Sequence, residues 1–541
     1  MTDTIIRGAK VRTMEATSTS TSSHAAETFE PTAVAIADGK ITAVGADSEV
    51  LELATDSTQI IDARGGTLIP GLIDSHIHPV WGLELTRGVD LGGLDFAGVR
   101  AALAAEAQRL TEGEWLRGWN LDYKVFENEL RGDLFDDVLG GRPMVLLFYD
   151  LHTAVTNAAA LSAAGVTGRE EFADNSLVVT DDSGTPTGEL REIPAYSLLL
   201  DAAPPLEHSD YVERVRALLS ELSRSGITSG VVTDGRDWHL GILNAIESSG
   251  GLPVRLHLAM WHRPSDDDAR VEELISMLGT SGDRYRIQLI KMFMDGVIDT
   301  GTAWLQEPDV CGQGGRAFWN SVERYHEVTR RYLDAGYQIA THSCGDAGVA
   351  EILRTYRELG TTSLQGAPNR IEHLEVISDD DVVVLGQTGV VASMQPLHMQ
   401  WREGDHSDSW ATRLGPERAK RAFRIKDVLD AGGRVALGSD WPVAQHDARL
   451  GMAWTRLRRT PGVPEAPVFE PDQRLSGEEA LLGYTRWAAE ALGRTDLGVI
   501  TPGATADLAL FAEDPVAADP DQLPLIPVDW TMVSGEIVYR R

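Results

Sequence analysis

Short apolar segments recur through the middle of the chain, spaced by stretches whose apolar residues return every three or four positions. Candidate strands lie at 71–77, 228–234, 254–260, 286–293, 337–342, 370–374, 389–394 and 434–439, with helical patterns such as 210–225 and 322–335 between them. Alternation of this kind builds βα units around a parallel sheet. Eight such units close into a (β/α)8 barrel, so the predicted class is α/β with a TIM-like barrel at its centre.

The two ends have a different texture. Residues 4–13, 33–45 and 59–69 read as short strands with Asp38-Gly39 at a hairpin turn, and residues 507–511 and 530–539 read likewise with Ser534-Gly535 at a turn. Neither end is large enough to stand alone. They are expected to pair into one small composite β-sandwich domain, built from 1–70 and 496–541, with the barrel at 71–495. The low-complexity tract from Thr17 to His24 is expected to be a mobile loop tip. Roughly 150 residues separate the first two barrel strands, far more than an ordinary connection needs. They carry a helical pattern at 97–110 and an apolar strand at 143–149, so an inserted subdomain after strand one, about 80–225, is expected over the barrel mouth.

Composition narrows the partners. The net charge of −34 repels phosphate, which argues against nucleic acid and anionic membrane; it favours solubility and does not identify the small-molecule substrate that is expected. Two cysteines, Cys311 and Cys344, build no disulfide framework. No apolar run is long enough to span a bilayer and no signal-peptide pattern opens the chain, so a cytoplasmic location is expected.

Barrel enzymes work at the C-terminal ends of their strands. Strand one ends in His76 and His78, two residues apart and therefore on one face. Strand five ends in His342, strand six carries His373, and Asp440 follows strand eight. Imidazole and carboxylate suit Zn²⁺ or a similar divalent ion, which lowers the pKa of a bound water and makes it a nucleophile. Asp440 is placed to take the proton of that water and return it to a leaving group. Lys291 lies in the apolar run LIKMFMDG. A buried ammonium is costly, so it is expected as a neutral amine, as a carboxylated metal bridge, or paired with Asp295 or the barrel rim.

The motifs PGLIDSHIHP, IKMFMDG, THSCGD, RIEHLE and GSDWPV, with the late LGVITPGATADLALF, resemble the amidohydrolase superfamily, and within it the YtcJ-like group (amidohydrolase family 3) that includes N-substituted formamide deformylases. The resemblance runs from about Ile5 to the C-terminus. It implies a metal-dependent hydrolase of C–N bonds other than peptide bonds, acting on a small amide, cyclic amide or N-substituted formamide through a metal-activated hydroxide. It implies one or two divalent ions, zinc foremost, bound by His76, His78, a carboxylated Lys291, His342, His373 and Asp440, with Asp440, His342 and His373 as the catalytic set, and a homodimer. Ester or carbamate hydrolysis, decarboxylation at the same centre, or a silent ligand-binding role on this fold are the alternatives. Similar chains read HAIGD where this one has HSCGD, so Cys344 is a candidate contact to metal or substrate. His152, Trp81, Trp304, Trp441 and Gln395 are further substrate-binding candidates, and Glu192, Asp234 and His398 lie nearby in the pattern. No arginine adjoins the expected ligands in sequence, which favours an uncharged, hydrophobic amide.

Overall fold

A computed structural model describes residues 2–15, 30–126 and 129–541. The tract from Thr17 to His24 lies outside the described residues. The barrel strands are β1 Leu72–Ile77, β2 Ile227–Gly235, β3 Arg255–Trp261, β4 Tyr285–Phe293, β5 Gln338–Ser343, β6 Arg370–His373, β7 Val391–Met394 and β8 Arg434–Leu437. They pair in chain order and in parallel from β1 to β8, as the βα pattern predicts.

The ring closes just past the strand ends. Asp440 N donates to His76 O at 2.7 Å and His78 N donates to Trp441 O at 3.0 Å, bridging Ile77 to Trp441. Beneath this seam the buried Asp74 carboxylate accepts from Ser439 N at 2.9 Å and His76 N at 3.1 Å. At the opposite end, Ala488, Ala489, Leu492 and Leu497 plug the interior against Ile73, Val231, Ala259, Leu289 and Ala340. The barrel is therefore packed below and open only where the ligand-type side chains gather.

Both termini build the sandwich. One sheet holds Thr4–Arg7, Ala33–Ala37, Lys40–Gly45 and Gln59–Asp62, and the other joins Lys10–Val11 and Thr67–Pro70 to Leu508–Phe511, Val528–Val533 and Glu536–Arg540. The two-residue turns are Asp38-Gly39 and Ser534-Gly535, all four residues at positive φ, the conformation a tight hairpin of right-twisted strands requires. Ile6, Ile36 and Ile61 of the first sheet pack against Leu508, Leu510 and Trp530 of the second. Burying each such side chain contributes about 1.5–3 kcal/mol, and neither sheet has this cover alone.

The insert contains a six-stranded sheet running from Val89–Asp90 to Pro186–Arg191. Its turn between Met144–Phe148 and Thr153–Thr156 carries Tyr149, Asp150 and His152 to the barrel mouth, where they line the same clefts as β-strand residues.

A Cβ on Gly438 would stand 2.6 Å from His76 N and 2.9 Å from His76 Cβ, so a side chain there forces the seam apart. Gly438→Ala is expected to lower stability by on the order of 1–3 kcal/mol, read as a shifted midpoint in denaturant unfolding. An unchanged midpoint would mean that the seam has slack at this position.

Candidate active site

Asp440 is the hub. Its Oδ1 lies 2.8 Å from His78 Nε2 and 3.3 Å from His76 Nε2, and its Oδ2 lies 3.3 Å from His398 Nε2 and 3.8 Å from His373 Nδ1. Asp440 and His373 both hold positive φ, 59° and 77°. Such backbone is strained for residues with a Cβ and persists only where the surroundings enforce it. Here the seam enforces it for Asp440, because its N–H is tied to strand one.

The left-handed turn at His373 also explains Glu372. In a strand, neighbours face opposite ways, so a glutamate beside a ligand histidine is expected to point elsewhere. Because the chain turns at His373, both reach the centre. Glu372 Oε2 accepts from His76 Nδ1 at 2.7 Å, which leaves His76 Nε2 facing Asp440. Arg370 Nε donates to Glu372 Oε1 at 2.5 Å, and its Nη2 reaches Ser75 O at 2.5 Å and Ser393 Oγ at 2.6 Å. Burial would raise the Glu372 carboxyl, but Arg370 and His76 hold it well below the usual carboxylate range.

The imidazoles divide by environment. Burial and the nearby Lys291 cation push His76 down to about 4, and burial with the same cation lowers His342. Burial and the adjacent His342 lower His373. Burial also opposes charge on His78, but Asp234 and Asp440 outweigh it and raise the group to about 9. Lys291 is fully buried, its Nζ has no hydrogen-bond partner, and desolvation brings it down to about 8. It does not pair with Asp295. That carboxylate accepts from the backbone N–H groups of Trp304, Cys344 and Gly345 at 2.8–3.0 Å.

These residues fit a divalent cation. Ligand atoms of His76, His78 and Asp440 lie within 4.8 Å of one another, and so do those of His373, His398 and Asp440. Lys291 Nζ, buried and unpartnered, lines the same cleft as His76 and His78. His342 stands apart from both groups. Its Nε2 meets Gly296 O at 3.2 Å and Cys344 Sγ at 3.5 Å, and its ring stacks on Phe293 with centroids 4.7 Å apart. Cys344 is thus a neighbour of His342 in the cleft lining, and burial holds its thiol protonated.

Two clefts share Asp440, His373, His342, His152 and Asp150, so they are lobes of one site. One contains Lys291, His76 and His78 and is walled by Trp81, Trp261 and Phe293. The other is walled by Tyr149, Trp401 and Trp410 and contains Glu375, Asp299, His398 and Arg402. Trp81 lies in the wall of the first lobe. Trp304, Trp441 and Gln395 are not among the lining residues. The Trp441 ring packs against Gly82, where a Cβ would lie 2.8 Å from its Cζ3, and Trp304 serves through its main chain, whose carbonyl accepts from Ala347 N at 3.1 Å. Gln395 is buried beside its own strand, donating to Ser393 O at 3.3 Å. The aromatic walls come instead from Trp261, Trp401 and Trp410, which adjoin no expected ligand motif.

A family model described as "Amidohydrolase family" matches residues 59–539. The chain belongs to the amidohydrolase family. It is 28% identical to the YtcJ protein of Bacillus subtilis (strain 168) over 94% of this chain and 96% of that one. It is 26% identical to the N-substituted formamide deformylase of Arthrobacter pascens over 100% of this chain and 99% of that enzyme. A solved structure of an uncharacterized metal-dependent hydrolase from Pyrococcus horikoshii OT3 shares the fold, with a TM-score of 0.72 at 21% identity over 96% of this chain and 99% of that one. This amidohydrolase is a metal-dependent hydrolase, and its fold is the one the motifs implied. Among the described residues no helix is long and apolar enough to cross a membrane.

His152, delivered by the insert, donates from Nδ1 to Glu192 Oε2 at 2.6 Å. Burial opposes its charge, but Glu192 and Asp150 raise it to about 9. Its folded pKa lies above the ordinary 6.5, so the pair's contribution is complete below about pH 6.5 and lost as pH rises through about 9. The stability gap between the native chain and Glu192→Gln is therefore expected to shrink across that window in denaturant unfolding. A gap independent of pH would mean the imidazole is neutral throughout.

Glu372→Gln tests the buried support of His76. Loss of such a partner costs about 10–100-fold in metal affinity, measurable by chelator competition. Undiminished affinity would mean that His76 needs no carboxylate behind it.

Proposed function

We propose that this amidohydrolase hydrolyses the C–N bond of a small amide, cyclic amide or N-substituted formamide. The observation that carries the reading is the convergence of four imidazoles on one buried carboxylate, Asp440, beside an unpartnered buried lysine. His76, His78, His373 and Asp440 would hold one or two zinc ions, with His342 and a carboxylated Lys291 as further ligands. A bound divalent ion supplies Lewis acidity, polarising the scissile carbonyl and acidifying water.

The protein's own groups do the rest. Asp440 is held ionised: burial favours its neutral form, but the surrounding imidazoles dominate and keep its pKa well below the ordinary value. It therefore begins as the proton acceptor for the attacking water and later passes that proton to the departing nitrogen. His152 lines both lobes and favours its charged form. It is placed to donate to the carbonyl oxygen as negative charge develops there. Glu375 Oε2 accepts from Trp410 Nε1 at 2.8 Å while its Oε1 faces His398 Nδ1 at 3.4 Å, which fixes the ring of His398 against Asp440. A lysine near pKa 8 has a substantial neutral fraction at mildly alkaline pH, the form that reacts with CO₂. The deformylase of Arthrobacter pascens, similar over nearly the full length of both chains, supports formamides as the first compounds to assay.

The test is a screen of formamides, hydantoins and lactams on metal-analysed protein. Turnover of at least one class is expected, abolished by chelation. Asp440→Asn should lower kcat by on the order of 10²-fold or more. Full activity after chelation, or an unchanged kcat in Asp440→Asn, would overturn the reading.

A further inference from the structure

Arg402 is the only arginine among the described residues that line the two lobes. It follows the helical turn Pro396–Trp401 and is 6% exposed. Its guanidinium lies 4.3 Å from the Trp410 ring centroid and 5.0 Å from that of Phe469. These ring contacts hold the cation in place without using a single N–H. Nε, Nη1 and Nη2 all lack a hydrogen-bond partner.

The nearest acids do not fill that gap. Asp408 Oδ1 stands 3.9 Å from Nε and Glu470 Oε1 stands 3.8 Å from Nη2, both beyond hydrogen-bond reach. Each is also engaged elsewhere. Asp408 accepts from Ala411 N at 2.8 Å and Glu403 N at 2.9 Å, and Glu470 Oε2 accepts from Arg458 Nη2 at 3.1 Å. The acids lining the lobe are occupied too. Asp150 accepts from Tyr123 Oη at 2.7 Å, Glu375 from Trp410 Nε1 at 2.8 Å, and Asp299 from Tyr149 Oη at 3.0 Å.

A buried guanidinium with no acceptor is costly, and its planar fork matches a carboxylate. Resting on the amide-hydrolase reading above, we propose that Arg402 receives a carboxylate carried by the substrate away from the scissile bond. The substrate class is thus an amide with a distal carboxylate and a flat or apolar linker. The linker would lie along Tyr149 and Trp401, whose rings stack at 4.1 Å. This reverses the expectation of an uncharged amide: position 402 adjoins no ligand motif in sequence, and the fold brings it to the site. In a chain of net charge −34 an anionic substrate is repelled at long range, so a fixed local cation is what its capture requires.

The experiment measures binding and turnover separately in the metal-loaded full chain. Calorimetry compares 4-(acetamidomethyl)benzoate with its carboxamide counterpart, and kinetics compares the two corresponding formamides. The carboxylate is expected to bind the native protein about 10-fold more tightly or better. Arg402→Met should bring the ratio to about one, and Arg402→Lys should keep part of it. Each ratio is taken within one protein, so a reduced folded fraction cancels. Equal binding of the two compounds by the native protein, or a preference that survives in Arg402→Met, overturns the proposal. An Arg402-dependent preference without turnover of either formamide would uphold the anion site and sink the formamide reading instead.

Discussion

The structure depends on one seam. Where the last barrel strand returns to the first, two backbone hydrogen bonds join the main chain of His76 and His78 to that of Asp440 and Trp441. The residues that close the ring are the residues that hold the chemistry. Barrel closure and site assembly are therefore the same event, and neither can be loosened without the other. This accounts for the buried Asp74 carboxylate under the seam, whose pKa burial raises to about 6 while three backbone or hydroxyl contacts pull it down. It spends its hydrogen bonds on Ser439 and His76, not on a ligand.

A second constraint lies behind the site. Arg370 and Glu372 form a fully buried ion pair that touches strand one through Ser75 and His76 and strand seven through Ser393. Buried pairs of this kind seldom add net stability, since desolvation offsets their attraction. Their value here is geometric: the carboxylate selects the tautomer of His76 and the guanidinium ties three strands to one orientation.

Most of the fold was legible because its signals are local. Hydrophobic periodicity placed all eight barrel strands, and turn residues at Asp38-Gly39 and Ser534-Gly535 placed both hairpins. The ligand-type residues were legible because strand ends converge in a barrel, so His76, His78, His373 and Asp440 could be brought together without coordinates. What stayed hidden depends on contacts between segments far apart in the chain. Glu372 was masked by strand alternation until the positive φ of His373 broke it. Trp261, Trp401, Trp410, Glu375 and Arg402 carry no motif of their own. Trp304 and Trp441 looked like pocket walls because they follow motifs, yet proximity along the chain put them under the site's supports and not in its lining.

Strand Thr67–Pro70 of the terminal sandwich runs into β1 across a single residue, Gly71, whose N–H is bonded to Asp507 O. The strand that presents His76 thus hangs from a sheet completed by residues 508–533. During synthesis the first metal-type histidines leave the ribosome more than four hundred residues before their anchor does. Until residues 508–533 are made, that strand and the apolar sandwich face beside it lack the sheet that covers them. Synthesis of residues 508–533 is then the step that supplies the anchor, and a stop codon just before them would remove it from a site whose side chains are all still present.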